Sequence, residues 1–141
     1  MVEFKGCNTD VFFNEAMDWM RQQTKPFFLS LAPTAAHEPF HVDPRYVRSY
    51  ADLPEALAAF YGMTAELDEN VGRLLDFLQE NGQARNTILI YMTDNGTVER
   101  TAFYSAGMRG RKGSFTRAGT ASRFLCAGRS GSPDRPARST P

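Results

Sequence analysis

Cysteine is almost absent from this sequence. Cys7 and Cys126 are the only two in 141 residues, and their distant placement supports neither a disulfide framework nor a cysteine metal pattern. Long apolar runs are also missing, and no window approaches the ~18 residues of a membrane span. The opening, MVEFKGCNTD, lacks the basic start and apolar stretch of a signal peptide, so the chain as written carries no expected export address. Net charge is +0, but that figure hides two unlike parts. Residues 1–115 hold 11 Lys/Arg against 15 Asp/Glu, whereas residues 116–141 hold five Arg, no Lys and only Asp134. The latter part is Arg, Ala, Gly, Ser, Thr and Pro with almost nothing to bury, so a folded region over 1–115 and a disordered tail over 116–141 are expected. A basic Pro/Ser-rich tail is often an arm that touches nucleic acid or an acidic surface.

Up to Phe115 the pattern is that of one α/β domain. TDVFFNEAMDWMRQQ, residues 9–23, predicts a helix with Thr9 as N-cap and Phe12, Ala16, Trp19 and Met20 on one face. PFFLSLA, from Pro26, is a short apolar run between turn residues and predicts a buried strand. PTAAHEPFHVDPRY has three prolines and both histidines of the chain, which makes it a structured loop. Pro54 opens the longest predicted helix, running to about Asn81, with Phe60, Met63, Leu67, Val71, Leu74 and Leu78 as its core stripe and Gly82 at C′. TILIYMT follows as a second buried strand. Two apolar strands joined through a long helix predict a βαβ crossover and a parallel sheet.

Ligands of such sheets sit at the carboxyl ends of the strands. The first strand leads to His37 in AAHEPF, the second to Asp94 and Asn95 in TDNG. An Asp carboxylate beside an Asn carbonyl offers hard oxygens to Ca²⁺ or Mg²⁺, with Gly96 allowing a sharp turn behind them. Asp-Asn-Gly is equally good hairpin chemistry, although TVERTAFYSAGM is a poor partner strand. His37 has two readings as well, a reactive imidazole or a side chain filling a polar niche. Lys112 lies in MRGRKGSF among Arg109, Arg111 and two glycines, a loop that can close on an oxyanion or form a solvated basic turn.

Taken in order, PFFLSLAPTAAHEPF, FYGMTAELDENVGRLLDFLQENGQARNTILIYMTDNGT and AGMRGRKGS resemble three segments of the formylglycine-dependent sulfatases, or arylsulfatases. The resemblance covers essentially residues 6–115. It implies an alkaline-phosphatase-like domain with parallel strands and flanking helices. It also implies that Asp94 and Asn95 ligate Ca²⁺, that His37 faces a sulfate ester and assists its leaving oxygen, and that Lys112 holds a sulfate oxygen. Members of the family are often exported or lysosomal. No nucleic acid or membrane partner is implied.

The family's nucleophile is a formylglycine made within Cys/Ser-x-Pro-x-Arg, and neither GCNTDV nor LCAGRS fits that pattern. The family's N-terminal Asp pair, and the lysine and histidine that follow its nucleophile, have no counterpart. A fragment with part of the metal and sulfate site, inactive alone, is therefore expected. The alternative is a non-enzymatic α/β remnant or interaction module. A related phosphatase or phosphodiesterase ranks lower, because those metal sites recruit more histidines and aspartates.

The tail has its own expectation. In sulfatases a GRKGS-like loop continues into Tyr-Glu-Gly-Gly and then a His-Arg-Val-Pro strand. Here it continues TRAGTASRFLCAGR. One permitted choice of codons for those residues, read one base earlier, encodes YEGGHRVPFLVRWP. A single lost base near Phe115 converts one reading into the other, so the tail is expected to be sulfatase DNA read out of frame. A core that lacks neighbouring strands is expected to leave sheet edges and apolar faces open and to aggregate.

Overall fold

The computed structural model describes residues 6–95, 109, 112–113 and 124–127. The chain divides into two compact units, residues 1–81 and 82–141.

The first unit is built from three helices. Helix α1, Asn8–Arg21, starts one residue ahead of the expected cap, with extended Cys7 in the N-cap position and no side-chain cap bond. Thr9 is instead buried. Asp10 in the first turn and Arg21 in the last complement the helix dipole. The buried face is Thr9, Phe13, Ala16, Met17 and Met20. Phe12 and Trp19, expected inside, are 40% and 39% exposed. Polar contacts account for this rotation. Asp10 and Asn14 must both reach α3, where Asn70 Nδ2 donates to Asp10 Oδ1 at 2.8 Å and Arg73 donates to Asn14 Oδ1 at 2.5 Å. Trp19 then finds an edge-to-face partner in Phe27, with centroids 5.2 Å apart.

Helix α2 is a single turn, Pro44–Val47, capped by Asp43, whose carboxylate accepts from Arg45 N at 2.8 Å. Pro44 at its start loses nothing by lacking an N–H there. The turn continues into a 3₁₀ segment, Arg48–Tyr50. Helix α3, Glu55–Glu80, begins after Pro54 as expected and packs against both α1 and α2. Gly82 follows its end at φ +67°, a left-handed conformation that favours glycine. Gly62 serves a different need: a Cβ there would stand 3.3 Å from Val47 Cγ2 and 3.4 Å from the Tyr46 carbonyl carbon. Its absence lets α2 lie directly on α3 and buries Tyr46.

Phe13, Met17, Met20, Leu57, Met63, Leu74, Phe77 and Leu78 form the apolar core. Of the six residues in the expected α3 stripe, Met63, Leu74 and Leu78 are buried, while Phe60, Leu67 and Val71 flank them half-buried. The middle of the stripe belongs to Glu66 and Asn70, both wholly buried.

The strand expected from Pro26 is not formed: residues 26–34 are assigned to no helix or strand, and Phe28 is 90% exposed. Phe27 packs on Trp19 rather than into a ladder.

The second unit opens with a 3₁₀ turn, Ala84–Asn86, and leads into strand β1, Leu89–Met92. Strand β2, Phe124–Ala127, pairs with it antiparallel, with Leu89 opposite Ala127 and Met92 opposite Phe124. Two local features differ from what the sequence pattern led one to expect. Among the described residues the only sheet is two-stranded and antiparallel, so the parallel pair is not observed there. The ladder partner of β1 comes from the part of the chain expected to be disordered. Phe-Leu-Cys-Ala is the one apolar run in that part, and its backbone groups find partners on β1. Strand β1 is also less buried than expected, since Ile90 and Met92 on one face are 53% and 62% exposed, with Ile88 at 73% beside them. Among the described residues no helix is long and apolar enough to cross a membrane.

Candidate functional site

His37 belongs to the first unit and Asp94, Asn95 and Lys112 to the second. His37 closes a turn in which its N–H donates to the Thr34 carbonyl at 2.8 Å. Its side chain is exposed, and Nδ1 lies 2.8 Å from the Glu38 carbonyl oxygen. A carbonyl only accepts, so Nδ1 carries a proton and the neutral ring presents Nε2 as an acceptor. The loop carrying the ring is tied to the start of α1 at two points: Thr34 Oγ1 donates to Asn8 Oδ1 at 3.1 Å, and Cys7 Sγ donates to the His41 carbonyl at 3.6 Å.

Asp94 and Asn95 follow β1 directly. Asn95 N donates to Asp94 Oδ1 at 2.8 Å, and Asn95 Nδ2 donates to Asp94 Oδ2. Each Asp94 carboxylate oxygen thus already accepts one hydrogen from Asn95. The donor set suits a hard cation, because a carboxylate retains further lone pairs and the amide oxygen is hard as well. For both residues to bind one ion the Asn95 amide would have to flip, turning Oδ1 toward the carboxylate side. Two ligands are a minority of the six to eight oxygens that Ca²⁺ takes. No cluster of three or more His, Cys, Asp or Glu able to hold a metal occurs among the described residues.

Lys112 is half-buried and Arg109 exposed. Lys112 shares a turn with Gly113, which adopts φ +84° with open space where a Cβ would stand. Gly113 is thus required by conformation and not by crowding. Arg111 and Gly96, part of the same expectations, lie outside the described residues.

The polar cluster between α1 and α3 was not anticipated from the sequence. Asn70 Nδ2 donates to Asp10 Oδ1 and to the Glu66 carbonyl at 2.9 Å, while Arg73 donates to Asn70 Oδ1 at 2.7 Å. Glu66 is fully buried and neither of its carboxyl oxygens has a hydrogen-bond partner. Burial, and after it the nearby Asp10, pushes its carboxyl above the usual range despite opposing contributions from Cys7 and Arg45. Burial, followed by the Glu66 carboxyl, pushes the Cys7 thiol up to about 11. On the flank of the cluster, Tyr46 rises to about 12 through burial and then Glu69. One signal was available: Glu66 and Asn70 fall at core positions of α3, in step with Met63, Leu74 and Phe77.

Comparisons with known proteins agree on one family. The family model described as Sulfatase matches residues 2–123. N-acetylgalactosamine-6-sulfatase of Rattus norvegicus is 32% identical over 106 residues, which cover 72% of this chain and 19% of that protein. Arylsulfatase of Clostridium perfringens (strain 13 / Type A) is 28% identical over 125 residues, covering 62% of this chain and 26% of that protein. The solved structure of Ps i-CgsB in complex with k-i-k-neocarrahexaose superposes with a TM-score of 0.82 at 26% identity, over 89% of this chain and 29% of that one. The fold is therefore that of a sulfatase domain, alkaline-phosphatase-like, and the chain spans about a fifth to a quarter of the curated relatives named here. With a family model matched over most of its length and a relative above 30% identity, this chain belongs to the sulfatase family.

Proposed function

We propose that these residues are a portion of a sulfuric ester hydrolase that carries part of its metal and sulfate site and turns over no substrate by itself. The observation that supports this reading is the match across residues 2–123, within which AAHEPF, TDNG and GRKGS occur in order. Asp94 and Asn95 contribute two oxygens toward a Ca²⁺ ion, which when bound would neutralise charge on a sulfate group. Lys112 contributes a cation to a sulfate oxygen, where charge grows as the S–O bond breaks. His37, with Nδ1 committed to Glu38 O, turns Nε2 to the leaving oxygen, to which its imidazolium form would give a proton.

No Cys/Ser-x-Pro-x-Arg occurs in the sequence, and this favours a non-enzymatic remnant as the second reading. An aryl-sulfate assay on the chain, with and without added Ca²⁺, is expected to give no turnover above buffer. Turnover that disappears in His37→Ala would overturn the proposal of an inactive portion and leave the sulfatase site residues standing.

The tail is proposed to be sulfatase sequence read one base out of frame. Resequencing the locus around codon 115 is expected to restore a base and replace TRAGTASRFLCAGR with a Tyr-Glu-Gly-Gly segment. An unchanged reading frame would overturn it.

A further inference from the structure

Residues 26–32, PFFLSLA, have the exposure pattern of a strand without a ladder. Phe27 and Leu29 are 39% and 37% exposed and Leu31 is half-buried, whereas Phe28 is 90% exposed and Ser30 and Ala32 are open to solvent. That is the two-residue alternation of a segment lying with one face on the helical unit, where Phe27 meets Trp19 edge to face. Yet among the described residues no backbone hydrogen bond involves residues 26–33. Each non-proline residue there offers an N–H and a C=O without a protein partner, a template on which another strand can pair.

Charge and pattern point to what fits. Residues 26–36 carry no charged side chain and the whole chain has net charge +0, so two copies approach without opposing like charges. The segment also complements itself. A two-fold axis at Ser30 runs two copies antiparallel, with Leu29 opposite Leu31 on the face toward the helices, Phe28 opposite Ala32 on the outer face, and Ser30 opposite its own copy. A large ring then meets a small side chain, leucine meets leucine, and two hydroxyls can hydrogen-bond. Pro26 and Pro33 fall at the ends of the pairing, where a missing N–H is tolerated.

We propose that residues 27–32 are a homodimerisation strand, through which two copies of this chain pair antiparallel about a two-fold axis at Ser30. The contact is one short strand from each copy, so the dimer is weak and depends on concentration. It uses none of His37, Asp94, Asn95 and Lys112 and stands apart from the hydrolase reading.

Disulfide trapping tests the register. In the full chain carrying Cys7→Ser, Cys126→Ser and Ser30→Cys, mild oxidation is expected to give a covalent dimer. Facing residues of an antiparallel pair stand about 4.5–5.5 Å apart at Cα, within the span of a disulfide. With Glu15→Cys, an exposed position on α1, in place of Ser30→Cys, the chain is expected to stay monomeric. Adding Phe28→Lys, which alters a side chain outside the core, is expected to suppress the Ser30→Cys crosslink. Sedimentation velocity of the unmodified chain is expected to show a dimer fraction that rises with concentration and is lost in Phe28→Lys. Crosslinking through Ser30→Cys no faster than through Glu15→Cys overturns the proposal. So does a chain that stays monomeric at every concentration, which would leave the segment to a strand of another protein. Association that survives Phe28→Lys and dissolves in Ile90→Lys overturns it too, by placing the interface on β1. If the Ser30→Cys chain does not fold, sedimentation of the parent and of Phe28→Lys decides.

Discussion

Phe77→Ala is expected to lower the stability of the helical unit by about 3–5 kcal/mol, the range for truncating a large buried aromatic. Phe77 is 4% exposed and lies on the same face of α3 as Leu74 and Leu78. Its ring also carries the guanidinium of Arg21 from the end of α1, with the guanidinium carbon 4.9 Å from the ring centroid. Truncation therefore removes core volume and the platform on which the last turn of α1 rests. Against a typical total of about 5–15 kcal/mol, a loss of this size populates unfolded chain. Two companions apportion the effect. Phe77→Leu keeps most of the volume and is expected to cost about 1 kcal/mol. Arg21→Ala removes the exposed cation–π contact together with the Asp18 ion pair and the dipole complement, and is expected to cost about 1 kcal/mol or less. Urea unfolding followed by far-UV circular dichroism checks all three, with an unchanged slope expected for each. A loss in Phe77→Ala no larger than in Arg21→Ala would show that the ring is not part of the core.

Much of the helical unit was legible in the sequence because helix signals are local. The apolar spacing from Phe60 to Leu78, Pro54 ahead of it and Gly82 after it located α3 to within a residue or two. The rotation of α1 was not legible. It depends on Asp10 and Asn14 meeting Asn70 and Arg73, residues some sixty positions away, and an apolar periodicity count ignores such pairs. The segment from Pro26 shows the opposite failure. Its composition reads as strand, but a strand exists only where a neighbour accepts and donates along a ladder, and composition does not supply the neighbour. The same holds for β2, whose four residues were hidden within a tail judged by its average composition.

The candidate site was legible as a set of motifs and not as an arrangement. TDNG was readable as an oxygen-bearing turn, but the sequence does not say that Asn95 already spends its N–H groups on Asp94. AAHEPF marked His37, but the commitment of Nδ1 to Glu38 O is a matter of geometry. Glu66 was hidden by its type. Glutamate in a helix is most often a solvated residue, and its burial here follows from three helices converging on one point of α3.

Asn70→Asp is expected to cost about 3 kcal/mol or more at neutral pH, although it changes the side-chain volume hardly at all. Asn70 is wholly buried, and its amide hydrogens satisfy both Asp10 Oδ1 and the Glu66 carbonyl. A carboxylate there turns both donations into oxygen–oxygen repulsions. It also sets a buried negative charge against the half-buried Asp10, with Arg73 as partial compensation. The penalty carries a pH signature. Repulsion and burial raise the new carboxyl's folded value above its unfolded value of ~3.9. The folded state then binds more protons between those two values, so stability falls as pH rises through that window. Below ~3.9 the acid is neutral in both states and most of the penalty vanishes. Unfolding curves for the parent and the variant, taken near that acid limit and at neutral pH, should converge at the first and separate at the second. A difference that is the same at both would mean the donor groups of Asn70, and not the charge, carry its contribution. It would also remove the electrostatic account of why α1 is rotated toward α3.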